Sequence, residues 1–242
     1  MYPTVQEKAA INDAENLMIE TMARYDPSHD ALHVQRVRRT ALAIARSLRP
    51  PPDFLIVELA ALLHDVLDKK YVTEEATEPY LFFLPFFQRV RQEHGIDMID
   101  DGRASQIAFI VDNVSWSTEK RLREAKKWTK MHDECIELHC VQDADRLDAI
   151  GAFGLMRCAA YSAITNQALH APPGNPAQPQ SAIQHFHDKL LHIKGRLKTK
   201  PGKALGDKRH KLLLDFLQSI EEEYNSAQAL SVSDLTTQVA LQ

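Results

Sequence analysis

Apolar residues recur along the chain at spacings of three and four, and strict alternation is hard to find, so the pattern predicts helices throughout. Residues 5–24 place Ile11, Ala14, Leu17, Met18 and Met22 on one side of a first amphipathic helix. Asp26-Pro27 then predicts a new helix start, because an aspartate side chain accepts orphan N–H groups and proline suits the first helical position. The expected second helix, residues 26–48, buries Val34, Val37, Ala41, Ile44 and Leu48 and sets His33 on the flank of the same stripe. Pro50-Pro51-Pro52 breaks the chain, and Asp53 caps a third helix that carries Leu55, Leu59, Leu62 and Leu63 into His64-Asp65.

Residues 79–95 read as an aromatic-rich helix that Pro85 kinks or divides. Its aromatics come without interleaved basic residues, so they read as core rather than as a stacking platform. Residues 101–114 predict a helix ended by Ser115-Trp116-Ser117, followed by a charged, exposed stretch over 121–130. Residues 134–161 are apolar nearly all round and predict one central buried helix, although Asp143, Asp145, Arg146 and Asp148 lie inside it. Residues 166–180 hold four prolines and a glycine and are long enough for a flexible loop or lid. Ser181 is expected to cap a helix to about 194, and a basic segment leads to a last helix through Leu212, Leu213, Leu214, Phe216 and Leu217. The expected organisation is an all-α helical bundle with a packed N-terminal helix (1–25), one domain (26–226) and a C-terminal tail (227–242).

Composition narrows the function classes. Lys+Arg 29 against Asp+Glu 33 gives a formal charge of −4, so no nucleic acid polymer is expected as partner. Cys135, Cys140 and Cys158 form no C-x-x-C pair, which argues against a disulfide framework or a thiolate zinc site. The first ten residues carry Glu7 and Lys8 and no apolar signal region, and the strongly apolar run 81–87 is far too short for a bilayer. A soluble, cytoplasmic protein is expected.

The chemistry centres on His64-Asp65. Ionisable groups inside an apolar helix cost several kcal/mol unless compensated, and a divalent cation compensates an imidazole and a carboxylate together. His33 on one helix, His64-Asp65 on the next and an aspartate in the buried stretch make an N/O ligand set suited to Mn, Fe, Ni, Zn or Mg. Periodicity leaves Asp143 and Asp145 equally open as the fourth member.

Taken in order, His33, His64-Asp65 and Ala144-Asp145-Arg146-Leu147 resemble the H...HD...D signature of HD-domain metal-dependent phosphohydrolases. His29-Asp30-x-x-His33-x-x-Arg36-Val37, Gln142-Asp143-Ala144-Asp145-Arg146-Leu147-Asp148-Ala149-Ile150-Gly151-Ala152 and His185-Phe186-x-x-Lys189-Leu190 resemble a small bacterial and fungal subgroup, some of whose members are linked to nucleoside triphosphate pyrophosphohydrolysis. The resemblance implies one divalent metal on His33, His64, Asp65 and Asp145, with Asp143 and Asp148 orienting ligands or pairing Arg146. It implies that Asp68 handles the proton of the water or leaving group. Lys69, Lys70, Lys189 and Arg209 are candidates for phosphate oxygens, and Arg36, three residues after His33, for reaching the same cavity. The implied activity is hydrolysis of a phosphoester or phosphoanhydride bond in a nucleotide or related small molecule. The alternatives are a non-catalytic, metal-stabilised nucleotide sensor or scaffold, and a dinuclear iron oxygenase, which needs two further histidines, of which His94 could be one.

Overall fold

The computed structural model describes residues 2–23, 25–67 and 78–238, with side-chain surroundings given through 226. Every regular element among the described residues is helical. Helix α1 (Val5–Met22) starts at a capping box in which the Thr4 hydroxyl accepts the Glu7 N–H and the Glu7 carboxylate accepts the Thr4 N–H at 2.7 Å. It buries Ala10, Ile11, Ala14, Met18 and Met22.

Helix α2 (Ala31–Ser47) begins later than Asp26-Pro27 predicts. Asp26 accepts the Ser28 N–H at 2.8 Å within a turn, and Asp30 caps the helix by accepting the His33 N–H at 2.9 Å. Helix α3 (Phe54–Leu63) starts where expected, with Asp53 accepting from Leu55 and Ile56, and every residue from Leu55 to Leu63 is buried. Its one charged member, Glu58, accepts from Arg38 at 2.7 Å and from the Tyr2 hydroxyl. Helix α2 packs most extensively on α3 and on α8 (Ile136–Asp148), and these three form the centre of the bundle.

Helix α4 (Pro79–His94) passes through Pro85 without dividing. Proline forfeits one ladder bond there, while Phe83, Phe86 and Phe87 are buried on either side of it. After α5 (Arg103–Asn113), Ser115 caps a further helix, α6 (Trp116–Glu124), so the Ser-Trp-Ser stretch opens a helix as well as ending one. Helix α7 (Lys130–Glu134) is a single short turn.

The single buried helix expected over 134–161 is two helices, α8 and α9 (Gly151–Ile164), inclined at 68°. Gly151 makes the corner at φ +77°, and a Cβ there would meet the Arg209 side chain at 3.0 Å. Helix α8 is buried, whereas α9 leaves Phe153 and Met156 51% and 69% exposed. Helix α10 stops early (Ala182–Asp188) and gives way to two 3₁₀ turns, because the chain must fold back to start α11 (Lys200–Gln238). Asp143 anchors that start, accepting from Lys198 N at 2.9 Å and from the Thr199 hydroxyl at 2.7 Å. Helix α11 reaches into the stretch expected as a tail. No single helix among the described residues is long and apolar enough to cross a membrane.

The buried pair Glu119–Arg146, at 2.5 Å with both side chains 2% exposed, ties α6 to α8, and Lys198 approaches the same carboxylate at 3.2 Å. Burial pushes the Glu119 carboxyl up, but Arg146, Arg123 and Lys198 outweigh it and hold the group at about 2. A depressed carboxyl stabilises the fold above its unfolded value and loses that contribution as pH falls from about 4.5 toward 2; the shift is worth about 3 kcal/mol. Urea titrations should therefore show Glu119→Gln less stable than wild type at pH 7, with the gap narrowing between pH 5 and pH 3. A gap independent of pH contradicts the assignment.

Candidate metal centre

His33 sits in the first turn of α2 and His64 at the end of α3, and neither is more than 5% exposed. The Nδ1 of His64 lies 2.8 Å from the Ala61 carbonyl, which can only accept, so that nitrogen carries the proton and Nε2 carries a lone pair. Asp148 does the same for His33, its Oδ2 lying 2.7 Å from Nδ1.

Both Nε2 atoms then face carboxylates. His33 Nε2 is 3.3 Å from Asp65 and 3.5 Å from Asp145; His64 Nε2 is 3.4 Å from Asp65 and 3.9 Å from Asp145. The His64 Nε2 atom is buried and has no hydrogen-bond partner among the described residues. Acceptors facing acceptors in a buried nest call for a cation, and two imidazole nitrogens with two carboxylates suit a divalent first-row ion. Burial pushes His33 down, but its hydrogen bonds to Asp145, Asp148 and Asp65 outweigh that and raise it to about 10. Asp65 is held far below the usual carboxylate range, against its burial, by His64 and His33, and Asp145 is lowered mainly by His33. Without a metal, a proton takes the cation's place.

Asp65 and Asp145 keep 17% and 25% of their side chains exposed, and the nest opens into a cavity of about 980 Å³. Lys189 lines that cavity, as do Arg121, Arg146 and Arg157. Arg36, expected at the substrate, turns instead onto Asp148, with Nε at 2.8 Å and Nη2 at 3.0 Å, and lies 4.4 Å over the Phe153 ring. It braces the carboxylate behind His33. Arg209 also has other work: its Nη1 donates to the Leu147 carbonyl at the end of α8, and burial lowers its pKa. Asp68, Lys69 and Lys70 lie outside the described residues. His94, the candidate for a second metal, pairs with Asp13 at 2.9 Å.

Sequence reasoning missed Arg157, which donates to the Ser28 carbonyl at 2.6 Å and to Asp148 at 3.2 Å from the cavity wall. The signal was present, since Arg157 is the one charged residue in the apolar helix α9. His29 and His185 also line the cavity, and both stand in the motif segments, which gave them no role. Gln167 and Gln180 bring the 166–180 loop into the same wall.

The HD domain family matches residues 31–150, a span that runs from the start of α2 through the end of α8. The chain belongs to the HD-domain superfamily of metal-dependent phosphohydrolases. It is 31% identical to YpgQ of Bacillus subtilis over 196 residues, covering 81% of this chain and 84% of YpgQ. The crystal structure of YpgQ in complex with ADP is similar at a TM-score of 0.66 and 26% identity, over 90% of this chain and 97% of that one. An HD-superfamily hydrolase from Bacillus thuringiensis is similar at a TM-score of 0.67 and 25% identity, over 90% and 98% of the two chains.

Asp148 fixes the tautomer of His33 and neutralises Arg36 and Arg157, so Asp148→Asn should weaken divalent metal binding by about 10–100-fold while the fold persists. Competition against a chromophoric chelator measures this, with circular dichroism as the fold control. Unchanged affinity would remove Asp148 from the centre.

Proposed function

We propose that the protein hydrolyses a phosphoester or phosphoanhydride bond of a nucleotide or closely related small molecule, using one divalent metal held by His33, His64, Asp65 and Asp145. The observation that carries this reading is the convergence of two tautomer-fixed imidazoles and two carboxylates on the floor of a cavity rimmed by cations. An ion there supplies an acidified water and positive charge for phosphate oxygens. The protein's own groups do the rest.

Asp148 and the Ala61 carbonyl hold the imidazoles with Nε2 inward. Asp65 and Asp145, both held below the usual carboxylate range, would be the anionic ligands that retain the divalent ion. Lys189 and Arg157 line the cavity and bring charge-assisted donors toward phosphate oxygens. Asp68 follows Asp65 by three residues and is proposed to take or deliver the proton, with Lys69 and Lys70 as further phosphate partners. A volume near 980 Å³ accommodates a nucleotide rather than a bare phosphate. The ADP complex of YpgQ supports the same class of substrate.

A panel of nucleoside mono-, di- and triphosphates, run separately with Mn, Mg, Ni and Zn and resolved by chromatography, tests the reading. Pyrophosphate released from triphosphates identifies a pyrophosphohydrolase; inorganic phosphate identifies a phosphatase. Asp65→Ala should lose more than about 100-fold in turnover, because it removes a ligand and not merely its support. Undiminished turnover in that variant would overturn the metal assignment, and metal binding without any turnover would favour the sensor reading.

A further inference from the structure

Among the described residues, and besides its histidines, the cavity wall carries two aromatic side chains, Trp116 and Tyr161. Tyr161 belongs to the metal end: its ring centroid is 6.4 Å from that of His29, itself 6.3 Å from that of His33. Trp116 has different company. It is the first residue of α6 after the Ser115 cap, and its half-buried indole has the Arg196 guanidinium 5.0 Å from the ring centroid and that of Arg146 at 6.0 Å. Glu119, one turn further along α6, holds Arg146 at 2.5 Å and approaches Arg196 at 3.9 Å. The indole is thereby fixed by cations that are themselves fixed by a buried carboxylate.

The contrast with Trp128, the other tryptophan, is informative. Trp128 donates its Nε1–H to Asp133 at 2.7 Å, lies 4.4 Å from both Arg123 and Lys198, and takes no part in the cavity. Trp116 makes no hydrogen bond through Nε1 among the described residues, and the catalytic chemistry proposed above gives it no task. Ser117 and Thr118 follow it in the chain and line the same cavity, as do Gln167 and Gln180, neutral groups that donate and accept. A rigid aromatic plane beside neutral hydrogen-bonding groups suits a flat heteroaromatic ring. The end built on His33, His64 and Asp65, where a divalent cation would sit, suits phosphate.

Resting on the nucleotide reading, we propose that Trp116 is the platform on which the base of a nucleoside phosphate stacks, which makes it a specificity-determining residue. It selects nucleotides against phosphate esters that lack a ring, and because every base presents a π-face it tolerates all of them. Stacking is equally present before and during the chemical step, so its loss raises KM and leaves kcat alone.

The chain has two tryptophans, so fluorescence reads the platform directly. In metal-loaded Trp128→Phe, which keeps Trp116 alone, ADP should quench emission saturably, and inorganic tripolyphosphate should not. In Trp116→Phe, which keeps Trp128 alone, ADP should bind without quenching. Trp116→Ala should raise KM for nucleoside triphosphates about tenfold at unchanged kcat, and Trp116→Phe should restore most of it. The inhibition constant of tripolyphosphate, which has the charge and no ring, should stay the same in both. ADP binding by calorimetry with no quenching in Trp128→Phe would overturn the platform, as would equal weakening of nucleotide and tripolyphosphate in Trp116→Ala. Absence of ADP binding in wild type, alongside turnover of another phosphoester, would overturn the nucleotide reading itself.

Discussion

Two buried imidazoles face two carboxylates at the base of a cavity, and the centre of the bundle is arranged to bear that. His33 Nε2 and His64 Nε2 stand within 3.9 Å of the carboxylates of Asp65 and Asp145, contributed by three different elements. A cation bound among them would make the cluster a staple between α2, α8 and the end of α3. Helix α2 makes its most extensive packing with α3 and α8, so the apolar contacts position the site, and a cation bound there would in turn fasten them. Asp148 extends the staple outward. One carboxylate receives His33 and Arg36 from α2 and Arg157 from α9, joining the two sides of the sharp α8–α9 corner through a single buried group.

The residues proposed as ligands are legible in the sequence because each is out of place in an apolar stripe. His33 beside Val34 and Val37, and His64-Asp65 behind a run of leucines, advertise a polar purpose, and the choice of Asp145 over Asp143 came from resemblance alone. Geometry gives Asp143 a task of its own at the start of α11. Helix ends were legible where one signal stood alone, as at Asp53 after three prolines. They were misread where two signals compete: Asp26 and Asp30 both precede α2, and only the second places its carboxylate on the first-turn amides. The α8–α9 corner was invisible to periodicity, since a pattern that is apolar all round has no phase to lose, and only Gly151 marks it.

Arg36 and Arg209 show a different limit. A cation near a phosphate site and a cation bracing that site have the same sequence pattern, because both are basic residues on a helix beside buried acids. Tertiary placement separates them. Arg36 finds Asp148, which lies 112 positions away, and Arg209 finds the carbonyl of Leu147, 62 positions away. Trp116 is the converse case, a residue that reads as part of a helix terminator and stands in the cavity wall because Ser115, just past the end of α5, caps α6.

Helix α8 shows how so much charge can be buried in one element. Successive residues of a helix point about 100° apart, so Asp143, Asp145, Arg146 and Asp148 face different neighbours from a single turn and a half. Asp143 meets the amides that open α11, Asp145 faces the metal nest, Arg146 meets Glu119 of α6, and Asp148 meets His33 and two arginines. The partners come from α2, α6, α9 and the start of α11, with His33 serving both Asp145 and Asp148, and these pairings offset the desolvation cost that each charge would incur alone. The run Asp-Ala-Asp-Arg-Leu-Asp is therefore a hub in which the metal site, the cavity wall and the last helix are registered to one another. Shifting α8 by one residue would unpair all four at once, so electrostatics as well as the apolar face hold that register.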